Sequence, residues 1–301
     1  HNNTMTNNTQ TQTQEASMYK AVAFDLDGTL LNSEKKVTEN TKRVLQYIKQ
    51  NKPGVELVLA SGRAPYLIMP TEEAAGVDCD LVGYNGGMCL SKKSEGRSVI
   101  FSKPIPPTRL DSIYHYVEEN NLCLNVYGDG IVYAVTKQKQ KADNYATLTG
   151  ASYKFVDSYF DLAKDLNPMK CLVITESDEE CDALLAKLKP IFHDLSLVKS
   201  NCFGKTLKQY YVEFLQAGVN KGLSVKQYCD IKGIATEHLL AFGDAENDID
   251  MLQIAGHGVC MANGNDVTKN ESNRVSNYTN DQDGVARELV EIFQLPHDLI
   301  Q

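Results

Sequence analysis

The chain reads as an α/β fold: a parallel sheet built by its first and last thirds, interrupted by an inserted α+β domain. Three observations predict this. Short apolar runs alternate with helical patterns from Lys20 to Gly87 and again after Asn220, the order that builds a parallel sheet. The first three runs end in small polar loops bearing glycine, at Asp25-Leu26-Asp27-Gly28, Ser61-Gly62-Arg63 and Asn85-Gly86-Gly87. Between the two thirds the alternation gives way to hairpins and helices over roughly 130 residues, a domain-sized stretch.

The elements follow in order. Ala21-Val22-Ala23-Phe24 reads as a short buried strand that stops at Asp25. Thr38 to Asn51 reads as a helix with Val44, Leu45 and Ile48 on one face, Val55 to Ala60 as a second strand, Tyr66 to Ala75 as a helix and Leu81 to Tyr84 as a third strand. In the insert, Ser98–Lys103 and Leu122–Val135 read as strands, the latter a hairpin turning at Gly128-Asp129-Gly130. Helix is expected at Arg109–Asn120 and Asp178–Lys189, and strand at Lys170–Thr175, Leu195–Lys199 and Tyr210–Leu215. The Lys137–Lys141 run reads as a solvated face. Alternation resumes with helix Lys221–Cys229, strand Leu239–Phe242, helix Asp248–Ile254, strand His257–Met261 and an amphipathic helix Asp283–Phe293.

Composition narrows the class. The 301 residues suggest two domains, 42% hydrophobic content is enough for real cores, and a net charge of −9 argues against a nucleic-acid binder or a polybasic membrane surface. The eight cysteines, at 79, 89, 123, 171, 181, 202, 229 and 260, show no C-x-x-C spacing and read as buried free thiols of a reducing, cytoplasmic compartment. The six histidines form no metal-like pair. Residues 1–17 are polar and low in complexity, without the basic and apolar regions of a secretory signal. They read as a disordered tail or tag remnant. No apolar stretch approaches the ~20 residues that span a bilayer.

The chemistry is expected at the C-terminal strand edge, where ligands of open α/β sheets collect. If Asp25 to Asp27 stays extended, both side chains point the same way. Two carboxylates so placed invite a divalent cation, and hard oxygen ligands favour Mg²⁺; a carboxylate can also be a covalent nucleophile. The alternative is a surface Asp-Gly hairpin. A second acidic group follows at Gly243-Asp244, with Glu246, Asn247, Asp248 and Asp250 behind it. Asp244 is the preferred further ligand and Asp248 the second, although acidic residues also suit a helix start. Lys221 could neutralise a nucleophile and a bound phosphate, or be a surface lysine. Ser61 offers a hydroxyl and nearby amides to phosphate oxygens. Arg63 could face the ligand or make an ion pair.

DLDGTLL (25–31), ASGR (60–63), GVNKG (218–222) and GDAENDIDM (243–251) stand in the order of the four motifs of the haloacid dehalogenase (HAD) superfamily, which they resemble. The insert between Asn85-Gly86-Gly87 and the lysine, and the tail VSNYTNDQDGVA (275–286), are similar to the Cof-type subgroup with its class IIB cap. The resemblance implies a Rossmann-like HAD hydrolase core from 18–87 and 217–301 and an α+β cap from 88–216 that excludes water and reads the leaving group. It implies Asp25 as the nucleophile of an aspartyl-phosphate mechanism and Asp27 as general acid and base. It implies Mg²⁺ held by Asp25, the Asp27 carbonyl, Asp244 and Asp248. Ser61, Gly62, Lys221 and Asn247 would then hold the phosphoryl group, with Arg63 and Asn85 facing the substrate. The expected activity is hydrolysis of small phosphorylated metabolites, sugar phosphates first. An aspartate at 27, two positions after the nucleophile, fits phosphate rather than halide chemistry. Two departures from the pattern are Ser61 in place of threonine and Ala262 in place of glycine. A phosphomutase of the phosphomannomutase type is the nearest alternative, against which Leu31 stands where those enzymes carry threonine. A non-catalytic phosphometabolite-binding regulator should have lost Asp25, Asp27, Lys221 or Asp244, and all four are present.

Overall fold

The computed structural model describes residues 18–128 and 130–301. The expected N-terminal tail and the central residue of the Gly128–Gly130 turn lie outside the described residues. The chain divides into two units, one formed by residues up to Phe101 together with Asn220–Gln301, the other by Ser102–Val219.

In chain order, the first unit begins with β1 (Ala21–Phe24), α1 (Glu39–Asn51), β2 (Glu56–Ala60), α2 (Pro65–Ala75), β3 (Asp80–Gly83), β4 (Met88–Leu90) and β5 (Val99–Ser102). The second unit holds α3 (Pro107–Glu119), β6 (Cys123–Gly128), β7 (Ile131–Val135), α4 (Lys139–Thr149), β8 (Tyr153–Val156), β9 (Cys171–Thr175), α5 (Asp178–Ile191), β10 (Ser196–Phe203) and β11 (Lys208–Leu215). The first unit then resumes with α6 (Lys221–Lys232), β12 (Leu239–Gly243), α7 (Ile249–Ile254), β13 (His257–Cys260), α8 (Asp266–Asn270), β14 (Arg274–Val275) and α9 (Gly284–Phe293).

The sheet of the first unit has the order β14-β13-β12-β1-β2-β3-β4-β5. It is parallel from β14 through β3, with Ala21 in register with both Leu239 and Glu56. β1 sits at its centre because both faces of the strand are apolar. Val22 and Phe24 face a core shared with Val44, Leu45 and Ile48 of α1 and Leu289 and Phe293 of α9. Ala21 and Ala23 face Val225 and Tyr228 of α6 and Met251 and Leu252 of α7. Phe24 stacks on Phe242 of β12 at 5.7 Å between ring centres. β1 and β12 thus end side by side, which brings Asp25 next to the Gly243-Asp244 loop.

The unit boundary differs from the expected one. β4 folds back antiparallel onto β3, with Leu81 opposite Leu90, and β5 extends the same sheet. Residues 88–101 therefore belong with the core: the Gly86-Gly87 turn reverses the chain instead of leading it out.

The second unit is a six-stranded sheet of order β10-β11-β9-β6-β7-β8, antiparallel except for β7 with β8. One face packs Leu124, Val126, Val173, Val212 and Phe214 against α3 and α5. Sequence reading passed over α4 and β8. α4 begins inside the Lys137–Lys141 run and buries only Ala142 and Tyr145, too few apolar positions to show a period. Seven cysteines are buried and Cys202 is half-buried, all eight as free thiols. No helix among the described residues is long and apolar enough to cross a membrane.

Candidate active site

The site is assembled from four loops at the C-terminal ends of β1, β2, β3 and β12, with α6 adding a lysine. After β1 the chain curls into a turn over Leu26–Leu30, closed by Leu30 N donating to Asp25 O at 3.2 Å and Leu31 N to Leu26 O at 3.0 Å. Gly28 takes φ +77°, and a Cβ there would lie 2.1 Å from Asp244 Oδ2. Only glycine satisfies both the backbone and the neighbouring carboxylate.

Asp25 is 7% exposed. Its Oδ1 accepts from Lys221 Nζ at 2.7 Å, and the same ammonium donates to Asp248 Oδ1 at 2.7 Å. Lys221 is the first residue of α6, which is capped by the Asn220 side chain accepting from Leu223 N at 2.8 Å. Asp248 faces inward because its other oxygen, Oδ2, accepts from Asp244 N at 3.0 Å and Ala245 N at 3.2 Å. Gly243 allows this packing, since a Cβ there would meet Asp248 Cβ at 2.5 Å. The Thr29 hydroxyl lies between Asp25 Oδ2 at 3.3 Å and Asp244 Oδ1 at 3.0 Å.

Asp25, Asp244 and Asp248 each present an oxygen within 4.8 Å of the others. Three carboxylates against the single Lys221 ammonium leave a formal charge of −2 in a largely buried place. Burial pushes the Asp25 carboxyl well above its ordinary range, and Asp248 and Asp244 add to this while Lys221 opposes it. Asp244 is raised as well, chiefly by burial. Burial works against the Lys221 charge, but Asp248 and Asp25 outweigh it and hold the ammonium firmly protonated. A divalent cation fits this site on two grounds: the donors are hard oxygens, and two positive charges cancel the deficit.

Asp27 departs from the expected arrangement. Its carboxylate lies outside the cluster, because the chain leaves the extended conformation after Asp25. Instead Asp27 Oδ2 accepts from Arg63 Nε at 3.0 Å and Oδ1 from Arg63 Nη2 at 2.6 Å, with Lys35 Nζ also 3.0 Å from Oδ1. Burial would raise its carboxyl, but Arg63 and Lys35 outweigh that and hold it below the ordinary range. Of the two readings left open for Arg63, the structure displays the ion pair.

Ser61 is buried, and its hydroxyl accepts from Arg63 N at 3.0 Å. Asn85 N donates to Ser61 O at 2.9 Å, and Tyr84 N donates to Arg63 O at 2.9 Å, tying the second and third loops together. Gly62 lies against the Asn85 side chain, 3.4 Å from where its Cβ would be. Tyr84 and Asn85 both have positive φ, 53° and 55°, a backbone that asparagine tolerates better than most residues. Asn247 Nδ2 donates to Asn85 Oδ1 at 3.1 Å. Behind them, Ser224 of α6 donates to Gly86 O at 2.7 Å. Every sequence-selected residue therefore lies on these loops or at the start of α6. Thr29 and Lys35 were given no role by sequence reading; Thr29 stands inside the DLDGTLL motif, whereas nothing marks Lys35.

Comparison with known proteins agrees with this construction. Residues 22–289 match the haloacid dehalogenase-like hydrolase family. A Haemophilus influenzae protein is 30% identical over 280 residues, covering 92% of this chain and 99% of its own. The Bacillus subtilis 5-amino-6-(5-phospho-D-ribitylamino)uracil phosphatase YitU is 27% identical over 277 residues, covering 91% and 97%. Among solved structures, a haloacid dehalogenase-like hydrolase from Bacteroides thetaiotaomicron superposes with a TM-score of 0.77 at 26% identity, covering 91% of this chain and all of that one. Members of this family generally use a divalent metal. The motifs, the fold and the relatives agree: the chain belongs to the haloacid dehalogenase-like hydrolases, as a phosphatase of the Cof type.

Proposed function

We propose that the protein is a Mg²⁺-dependent phosphatase of small phosphorylated metabolites, with sugar and sugar-alcohol phosphates as the leading substrate class and the cytoplasm as its place of work. The observation that carries this reading is the buried Lys221 ammonium bridging Asp25 and Asp248 beside Asp244. It gives one carboxylate a cation partner on Oδ1 while its charge deficit calls for a second cation. The relative named for a phosphoribitylamino-uracil, whose phosphate sits on a sugar-alcohol chain, supports the substrate class.

Asp244 and Asp248, with Asp25 and the Asp27 carbonyl, would hold Mg²⁺. When bound, the ion would neutralise charge on the phosphoryl oxygens. Lys221 opposes the upward push of burial, Asp248 and Asp244 on the Asp25 carboxyl and adds positive charge to the phosphoryl group. Asp25 attacks phosphorus and becomes an aspartyl phosphate, as the bond to the leaving oxygen breaks. Asp27, which has to take up a proton against the pull of Arg63 and Lys35, gives it to that oxygen and then takes one from the water that cleaves the acyl phosphate, so that phosphate and an alcohol are released and both aspartates are restored. Ser61, Gly62 and Asn247 supply donors to the phosphoryl oxygens, with Asn85 setting the Asn247 amide. Phosphoryl transfer relies on such positioning and charge. The inserted unit is assigned to leaving-group selection.

The test is phosphate release from a broad panel of phosphorylated metabolites, with Mg²⁺ and with EDTA. Mg²⁺-dependent release from a narrow group of sugar or sugar-alcohol phosphates is the expected result. No release from any member by folded, Mg²⁺-supplied protein refutes the proposal.

A further inference from the structure

The loop that follows β13 touches both halves of the acidic site. Its Met261 N donates to Gly243 O at 3.0 Å and its Asn265 N to Asp244 O at 3.1 Å. From the same loop the Asn263 side chain reaches the turn after β1, where Nδ2 donates to Gly28 O at 2.9 Å. The other end of that amide is anchored as well. Asn263 Oδ1 accepts from Asn280 N at 3.0 Å, and Asn280 Nδ2 donates to Leu31 O at 3.0 Å. Asn280 lies in the 275–286 tail, a stretch to which the proposed reaction assigns no task. Gly28 and Leu31 are thus held by two asparagines that also hold each other.

The partners fix how the Asn263 amide lies. Asn280 N can only donate and Gly28 O can only accept, so each end of the amide has one possible identity. Asn263 is exposed and adds nothing to a core, and a water could satisfy Gly28 O equally well. What a water does not supply is direction. Asp27 (φ −66°, ψ 125°) and Gly28 (φ 77°, ψ −1°) have the dihedrals of a type II turn. The peptide that Asn263 holds joins Gly28 to Thr29 and is planar. The Asp27 carbonyl lies one peptide before it. The Thr29 hydroxyl lies just after it, 3.3 Å from Asp25 Oδ2 and 3.0 Å from Asp244 Oδ1. Glycine leaves such a turn easy to deform, so the constraint has to come from outside it.

We infer that Asn263 is a positioning residue for the cation site: anchored by Asn280, it clasps the turn after β1 to the loop that carries Asp244 and so sets the spacing between the Asp27 carbonyl and the Asp244 carboxylate. This rests on the cation site proposed above. Groups that orient metal ligands from outside are worth about 10–100-fold in affinity. Asn263 acts through a neighbouring peptide, at the lower end of that range.

The experiment titrates Mg²⁺ into the metal-free, full-length protein by calorimetry and follows amide hydrogen exchange before any metal is added. Asn263→Ala should weaken Mg²⁺ binding about tenfold. Without metal, it should speed exchange of the Leu30 and Leu31 amides, which close the turn, about two- to tenfold while leaving the β1 amides unchanged. Asn263→Asp keeps the size and the bond from Asn280 N but turns an acceptor toward Gly28 O. It should also bind Mg²⁺ more weakly, whereas its added negative charge alone would tighten binding. Asp281→Ala is the control: it removes the two bonds that tie Ser33 to the same tail and should leave Mg²⁺ affinity within about twofold of wild type. Unchanged affinity in Asn263→Ala, equal or tighter binding by Asn263→Asp, or an equal loss in Asp281→Ala would overturn the inference. If the wild type binds Mg²⁺ and Asn263→Ala binds it as well, only the clasp fails; if the wild type binds none, the cation site fails and the clasp with it.

Discussion

Replacing Lys221 with methionine removes one charge from the centre of the site with little change in volume. Its side chain is fully buried and makes two contacts of 2.7 Å, to Asp25 and Asp248. Deleting one partner of a buried ion pair costs about 3–5 kcal/mol, because the remaining charge is left without compensation. Here the remainder is three carboxylates within 4.8 Å of one another. For a folding unit of this size that loss corresponds to a fall of roughly 6–20 °C in melting temperature.

The pH dependence has a definite sign. Asp25 already titrates above its ordinary range in the wild type, so the metal-free native state binds more protons than the unfolded chain. Stability from this group is complete below the ordinary carboxylate range, near pH 4, and is lost as pH rises through the raised value. Without Lys221 the value rises further and the loss steepens. Thermal melts in EDTA between pH 5 and pH 8 should therefore show the variant falling away from wild type as pH rises. Mg²⁺ should recover much of the melting temperature, but kcat should remain down by about 10²-fold or more, as when a stabilising charge is taken from a reacting group. A variant as stable as wild type at pH 8 in EDTA, with no greater pH slope, would refute the charge accounting on which the cation site rests.

Two further substitutions probe the same site. Asp25→Asn should abolish Mg²⁺-dependent phosphate release while leaving the protein folded, and in EDTA at pH 8 it should melt no lower than wild type, since it removes a carboxylate whose ionisation opposes the metal-free fold; appreciable turnover by this variant would exclude Asp25 as the nucleophile. Gly28→Ala places a Cβ 2.1 Å from Asp244 Oδ2 at φ +77°. It should cost about 1–3 kcal/mol from the left-handed backbone and the displaced carboxylate and raise the Mg²⁺ concentration needed for half-maximal activity; an unchanged metal requirement would show that Asp244 is not a ligand.

How much of this was legible follows from where the information lies. β1 and β12 could be read because continuous apolar runs such as Ala21–Phe24 and Leu239–Phe242 have few other fates than strands buried on both faces. The carboxylate loops could be read because acidic residues beside glycine at strand ends are local patterns. α4 and β8 could not be read: a helix that buries two residues of eleven has no period to detect. The return of β4 onto β3 was equally hidden, because a Gly-Gly turn permits either continuation and only the pairing of Leu81 with Leu90 selects one.

The sequence by itself determined the alternating α/β core and pointed to an insert and to the candidate site residues, because each signal is encoded within a few neighbouring positions. Tertiary structure decided which of those residues meet. Asp25 and Asp27 are two positions apart, yet one joins Asp244, Asp248 and Lys221 while the other turns to Arg63 and Lys35. A single turn after β1 separates them, and Asp248 and Lys221, more than 190 residues from Asp25, arrive only through the pairing of β1 with β12 and the packing of α6. The charge deficit, the raised carboxyls and the engagement of Lys35 are properties of that meeting. They arise from burial and from distances of a few ångströms between loops, quantities that no stretch of sequence carries.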